Sequence, residues 1–280
     1  MQTSLDTGDS MESRLLFERS SALDIAAFVV DGIDLSPGDA IPSDGDPRID
    51  RALAGFLFTC GPDHIRHPEP VEGRDDGALY PLHGSLAGTP VARTEMSADG
   101  IRCTAVTEVE LACGGRAAIE RCWRVEEDGR GVVLEDCVVN TGRSAFAPMM
   151  MYHMNIAGRL LGDETRILSP TLDGGSLAWR FGEGESAHFC LPAATGGDGW
   201  SEATLSRLPG LAGRSLHVRF RADTLPFLQM WRCQRGVADV ISIEPASHRL
   251  AKRAELSACG ELGLLEPGQR RDFALAFRVA

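Results

Sequence analysis

Apolar and polar residues alternate along much of this chain. Between residues 101 and 111, Ile101, Cys103, Ala105, Val109 and Leu111 occupy odd positions. Arg102, Thr104, Glu108 and Glu110 occupy even ones. A period of two sends successive side chains to opposite faces of an extended strand and buries one of those faces. Residues 117–125 repeat the pattern, with Ile119, Trp123 and Val125 against Glu120 and Arg124. Residues 126–131 (Glu-Glu-Asp-Gly-Arg-Gly) carry turn chemistry, and 132–139 return as a strand. These segments predict an antiparallel meander over about 91–156. Further on, 215–220 alternate, 225–231 and 237–243 are short apolar runs, and 271–279 alternate through Phe273, Leu275, Phe277 and Val279. Loops rich in Gly, Pro and Asp at 31–50, 61–78 and 192–200 join the strands. Long loops of this kind in a compact β protein often carry function. No long amphipathic helix, fixed-period repeat or linker-like shift interrupts the pattern. The expectation is an all-β, mainly antiparallel fold, with a flexible tail at 1–14 and one domain at 15–280.

Composition narrows the picture. A length of 280 residues with 43% hydrophobic content suffices for a sizeable core. Forty acidic residues against 28 basic ones give a formal charge of -12. That argues against a nucleic-acid or anionic-membrane partner, both of which need a basic face. The eight cysteines include no C-x-x-C and no zinc-finger spacing. Several lie in apolar runs, as Cys60 does, and read as small buried hydrophobes in a reducing compartment. The N-terminus shows no basic segment followed by an apolar block, and no window reaches about 18 apolar residues. A cytoplasmic protein without a membrane span is expected.

Two apolar runs end by delivering an ionisable side chain. Residues 147–155 (Ala-Pro-Met-Met-Met-Tyr-His-Met-Asn) present His153, and 239–245 (Asp-Val-Ile-Ser-Ile-Glu-Pro) present Glu244. His153 shares a strand face with Met149, Met151 and Asn155, so it is either a core histidine satisfied by a carbonyl or part of a polar pocket. Glu244 shares its face with Val240 and Ser242, and Pro245 should stop the ladder there. A carboxylate at the end of a buried strand is costly unless paired or facing a ligand. Arg249 is the candidate partner if it is merely structural. His83 stands in a Gly-punctuated loop (Leu82-His-Gly-Ser). His64 and His67 form an H-x-x-H pair without a third ligand of good spacing, so no metal site is expected. His217 lies on a polar strand face. Trp231, near Gln229, is either core or a platform for a sugar ring. One carboxylate and two imidazoles on a β scaffold suit proton transfer at a hemiacetal. Ring opening removes a proton at one oxygen and delivers one at its neighbour.

The ordered set Leu23-Asp-Ile25, Thr59-Cys-Gly-Pro-Asp-His64, Leu82-His-Gly84, Tyr152-His153 and Glu244-Pro245 resembles the landmarks of the aldose 1-epimerase (galactose mutarotase) superfamily, over about residues 15–280. It is most similar to a bacterial branch without a characterised member. The resemblance implies a β-supersandwich of galactose mutarotase-like type with a sugar cleft on one sheet. It implies Glu244 as general base on the anomeric hydroxyl, His153 as general acid on the ring oxygen from the opposite side, and His83 as an orienting group. Asp63, His64, Asn155, Gln229 and Trp231 would contact substrate, and no cofactor or metal would be needed. Two departures stand out. Such relatives carry Arg-Gly where Ser21-Ala22 stands, and often arginine where Ser85 stands. Loss of bidentate donors implies a changed sugar preference or weaker catalysis. The expected function is therefore an isomerase acting on a monosaccharide. The alternative is a carbohydrate-binding or sensing protein that keeps the cleft without turnover. A lyase or an epimerase at another carbon would call on Tyr80 or Tyr152. An anionic sugar would need a cation, for which Arg166, Arg232 and Arg249 are candidates.

Overall fold

The computed structural model describes residues 4–8, 12–43, 45–126 and 131–280. Four residues of the expected turn at 126–131, namely 127–130, lie outside them. In chain order the strands are β1 (Ser4–Gly8), β2 (Glu12–Glu18), β3 (Asp24–Val30), β4 (Ile33–Asp34), β5 (Leu57–Cys60), β6 (Glu69–Pro70), β7 (Leu79–Tyr80), β8 (Arg93–Met96), β9 (Arg102–Glu110) and β10 (Arg116–Val125). They continue as β11 (Gly131–Asn140), β12 (Met151–Ala157), β13 (Arg166–Leu168), β14 (Ser176–Ala178), β15 (Ser186–Pro192), β16 (Trp200–Leu208), β17 (Arg214–Arg221), β18 (Phe227–Cys233), β19 (Val240–Ala246) and β20 (Arg270–Val279). Two short helices, α1 (Pro47–Ala54) and α2 (Arg253–Ala258), fall in connecting segments. Asp46 caps α1 by accepting from the Arg48 amide, and Pro47 opens its first turn.

Two large antiparallel sheets face each other. The first runs β1-β2-β3-β5-β12-β19-β18-β15, with β4 beside β3; the second runs β14-β13-β16-β17-β20-β11-β10-β9-β8. The predicted meander holds for β8 to β11. The chain then leaves that sheet, and β12 pairs with β5 and β19 of the other one. Gly142 and Pro148 fall in the segment that makes the crossing. At the other end of the chain, part of the expected tail pairs as the β1–β2 hairpin. An edge strand held by backbone hydrogen bonds needs no buried face, so alternation gives it no signature. The ladder also runs one residue past Pro245: Leu228↔Pro245 and Phe227↔Ala246 continue it toward β18. Toward β12 it breaks, with no pair for Pro245 between Met154↔Ile243 and Met151↔Ala246.

The main core fills the space between the sheets, with Trp123, Tyr152, Met154, Ile156, Ile243 and Phe277 among its members. A second apolar cluster lies on the outer face of the first sheet. There Phe58, Cys60, Met151 and Ala246 are covered by Ile49 and Leu53 of α1, Ile65 and Leu82 of the 61–90 segment, and Leu256 of α2. Every residue of β12 and β19 is therefore buried, because both faces are covered. The inner core also holds an ion cluster. Arg121 is bonded to Asp24 at 2.7 Å, to Asp136 at 2.7 and 2.8 Å, to Thr59 at 2.6 Å and to the Ala22 carbonyl at 2.9 Å. Tyr152 donates to Asp136 at 2.9 Å. One guanidinium thus ties β10 and β11 of one sheet to β3 and β5 of the other, and Asp136 adds β12 through Tyr152.

Candidate active site

Strand register assembles the site. The pairs Met151↔Ala246 and Met154↔Ile243 set Glu244 directly across from His153. His153 pairs with Phe58, Glu244 with Gln229, and Gln229 with Cys190. Phe58, His153, Glu244, Gln229 and Cys190 thus form one row over five strands, on the outer face of the first sheet. The next row holds Asn155, Ser242, Trp231 and His188. Alternation places all nine on one face.

His153 and Glu244 form the floor, 4% and 1% exposed. The His153 Nε2 lies 3.2 Å from Glu244 Oε1, and its Nδ1 lies 2.7 Å from Asn155 Oδ1. Ser242 Oγ bonds to Glu244 Oε1, and Gln229 Nε2 donates to Oε2. The His153 ring stacks on Phe58 at 4.8 Å and meets Trp231 edge-on at 5.8 Å. Trp231, Gln229 and Phe227 are half-buried on β18, and His188 is exposed on the edge strand β15, so the floor opens on that side. Burial sets the electrostatics. It holds the His153 imidazole down to about 3, against the hydrogen bond to Asn155, which favours the charged form. It raises the Glu244 carboxyl, against the opposing hydrogen bonds from Ser242 and Gln229. Both groups are thereby biased toward their neutral forms.

His83 reaches the same place from the 61–90 segment. Its ring meets His153 edge-on at 5.7 Å and Phe58 at 5.4 Å, and its Nδ1 lies 3.4 Å from Cys60 Sγ. Burial, and secondarily His153, pushes the His83 imidazole down to about 3. The backbone holds it there. His83 has a φ of 58°, its amide donates to the Arg66 carbonyl at 2.8 Å, and its carbonyl accepts from Gly61 at 3.0 Å. Gly84 follows with a φ of 86°, where a Cβ would collide with the carbonyl oxygens of His64 and Gly61. Gly84→Ala is expected to cost at least about 1–3 kcal/mol from backbone strain alone. A fall in Tm in thermal unfolding checks it.

The other expected residues fall in different places. Asp63 accepts from the Ser85 amide at 3.0 Å, the Ser85 hydroxyl at 2.7 Å and the Ala112 amide at 2.9 Å, so its carboxylate fastens the 61–90 segment to itself and to the turn after β9. His64 donates to the His67 carbonyl at 2.7 Å and stacks on Tyr80. That hydrogen bond takes up the His64 Nε2 and leaves the His67 ring out of it. Among the described residues no group of three or more His, Cys, Asp and Glu is arranged to hold a metal ion. Asn155 is fully buried, and its Nδ2 donates to the Leu53 and Gly55 carbonyls at 3.1 and 3.2 Å. Tyr152 points into the inner core, and Tyr80 donates to Glu72 at 2.7 Å. Arg249 pairs with Glu255 and Glu261 and not with Glu244. Arg232 donates to the Phe181 and Gly184 carbonyls, and Arg166 to those of Asp163 and Thr165. His217 is hydrogen-bonded to Thr204. Ser21 bonds to Asp24 and Gly88. Ser242, a third side chain on the Glu244 carboxylate beside His153 and Gln229, is not among the substrate or catalytic residues expected from the sequence. Its signal was its place on the same strand face, two residues before Glu244.

Among solved structures, the chain superposes on a protein from Klebsiella pneumoniae subsp. pneumoniae described provisionally as an aldose 1-epimerase, with a TM-score of 0.77 at 16% identity, over 96% of this chain and 76% of that one. A galactose mutarotase-like protein from Lactobacillus casei gives 0.71 at 12% identity, over 100% of both chains. A galactose 1-epimerase from Lactobacillus acidophilus gives 0.63 at 10% identity, over 99% of this chain and 93% of that one. The fold is therefore that of the galactose mutarotase-like β-sandwich proteins. No curated protein matches the chain. Within this class the chain belongs to the family described as "Domain of unknown function (DUF4432)", which matches residues 3–175 and 178–279. No helix among the described residues is long and apolar enough to cross a membrane.

Proposed function

We propose that the protein is an aldose 1-epimerase-like isomerase that interconverts the anomers of a monosaccharide by acid–base catalysis. The observation that carries this reading is the buried His153–Glu244 pair, held at 3.2 Å on a sheet face with Trp231 and Gln229 half-exposed beside it. The anomeric hydroxyl and the ring oxygen are bonded to the same carbon, so the two proton transfers of ring opening occur side by side. Adjacent groups suit that geometry. His153 and Glu244 are cross-strand neighbours, so in this reading acid and base act from one side of the hemiacetal, where the sequence expectation had them on opposite sides.

In the proposed reaction Glu244 takes the proton of the anomeric hydroxyl while His153 delivers one to the ring oxygen. The bond from C1 to the ring oxygen breaks and the C1 carbonyl forms. Rotation about C1–C2 and the reverse transfers close the ring as the other anomer. No atom is lost and no carbon changes oxidation state, so the chemistry calls for no redox group. Trp231 would stack on the apolar face of the sugar, and His83 would position the ring oxygen. Similarity of fold to proteins named for galactose epimerisation supports the reaction class.

The test is NMR exchange between α and β anomers across a panel of aldoses and their acidic derivatives, with and without the purified protein. Acceleration for at least one sugar is expected. Saturable line broadening without acceleration would replace this reading with carbohydrate binding alone.

A further inference from the structure

We infer that Asn155 is a positioning residue that fixes His153 in the Nδ1–H form, so that the His153 Nε2 and Glu244 hold one proton between them. The inference follows from counting donors and acceptors. The Asn155 side chain has one amide nitrogen with two hydrogens and one carbonyl oxygen. Its nitrogen faces the Leu53 and Gly55 carbonyls at 3.1 and 3.2 Å, and both can only accept. These carbonyls belong to the end of α1, where a helix leaves backbone acceptors without internal partners. The amide orientation is therefore fixed, and Oδ1 is aimed at His153 Nδ1, 2.7 Å away. A carbonyl oxygen cannot donate, so Nδ1 carries the hydrogen.

That leaves the Nε2 of a neutral imidazole as a lone pair facing Glu244 Oε1 at 3.2 Å. An ionised carboxylate is also only an acceptor. Two acceptors at that separation in a buried site are held together by a proton, present either as imidazolium or as carboxylic acid. Both forms carry the same total charge, and their interconversion is one transfer across the contact. Ring opening needs one acid and one base, which is the singly protonated pair. Its titration belongs to the pair and not to either residue. The other titratable groups facing it are His83 from the 61–90 segment, Cys60 on β5, and His188 and Cys190 on β15.

The catalytic consequence rests on the isomerase reading; the tautomer does not. Nitrogen-15 NMR of the histidine ring, applied to the full chain at neutral pH, is expected to show His153 with Nδ1 protonated. Nε2 should be either protonated or hydrogen-bonded to a protonated carboxyl. An Nε2–H, Nδ1-bare ring in the unaltered protein would overturn the inference, whatever the variants do. Asn155→Asp keeps an acceptor for Nδ1–H and loses the donors to α1, whereas Asn155→Ala loses both. If Asn155 only anchors α1, the two variants should behave alike. The inference instead expects Asn155→Asp to retain the Nδ1–H ring and to shift the pH profile of anomer exchange upward, since a carboxylate favours the imidazolium. Asn155→Ala should lose the preference for Nδ1–H. An unchanged tautomer in folded Asn155→Ala protein would overturn the inference. Absence of exchange in the unaltered protein would count against the isomerase reading alone.

Discussion

Glu244→Gln is expected to leave the fold intact and to slow anomer exchange by roughly 10²–10⁴-fold, the usual worth of one general acid–base group. The substitution keeps the shape. The glutamine carbonyl can accept from Gln229 Nε2, and its amide can donate to His153 Nε2. Ser242 can turn its hydroxyl to the Trp231 carbonyl, 3.4 Å away. What is lost is the ability to take a proton. Because burial already disfavours the ionised Glu244, the neutral amide removes a desolvation cost, and Tm is expected not to fall. NMR exchange measures the first effect and thermal unfolding the second. Undiminished exchange would end Glu244's candidacy as the base.

The largest expected effect on stability lies elsewhere. Arg121→Met removes the guanidinium from between two carboxylates and leaves Asp24 and Asp136 buried without their cation. Breaking a buried pair on one side costs about 3–5 kcal/mol. In a chain of this size that lowers Tm by roughly 5–9 °C. Denaturant unfolding would measure the loss. Its pH dependence has a definite sign. Burial already raises Asp24 in the intact protein, and removing the cation raises it further. A carboxyl raised on folding binds more protons folded than unfolded, so stability increases as pH falls through its raised value. The deficit of Arg121→Met should be widest at neutral pH and should narrow on acidification. Replacing Asp24 and Asp136 by Asn in the same chain should recover part of it at neutral pH.

How legible all this was depends on what each strand packs against. β9, β10 and the last strand have one covered face, and alternation found them within a residue or two. The His153 and Glu244 strands gave themselves away by carrying a single ionisable group in an apolar run. Their facing direction was not readable, because β12 and β19 are covered on both sides and alternation has no contrast to offer. The second cover comes from α1, α2 and the 61–90 segment, whose contacts with the sheet are non-local. Arg121 carries a signal in the sequence: it falls in the inward phase of β10, between Ile119 and Trp123, and its cross-strand partner Asp136 falls in the inward phase of β11. Charges at matched inward positions of neighbouring strands mark a buried pair. The Leu23-Asp-Ile25 motif is explained by the same cluster, with Asp24 on Arg121 and the Leu23 carbonyl on the Trp123 indole at 3.0 Å. That landmark lies at the joint between the sheets and not in the His153–Glu244 row. Asp63 and His64 occupy a landmark loop because it must hold its own shape, which in turn delivers His83.

The row that holds His153 and Glu244 draws one residue from each of five strands, beginning at Phe58 and ending at Glu244 along the chain. Nothing within a hairpin's reach brings any two neighbours in that row together except Gln229 and Glu244. Contacts of such sequence separation form slowly, because loop closure must precede any gain from pairing. Under the proposed function, turnover would be a late reporter of refolding, because secondary structure can return before the row has closed.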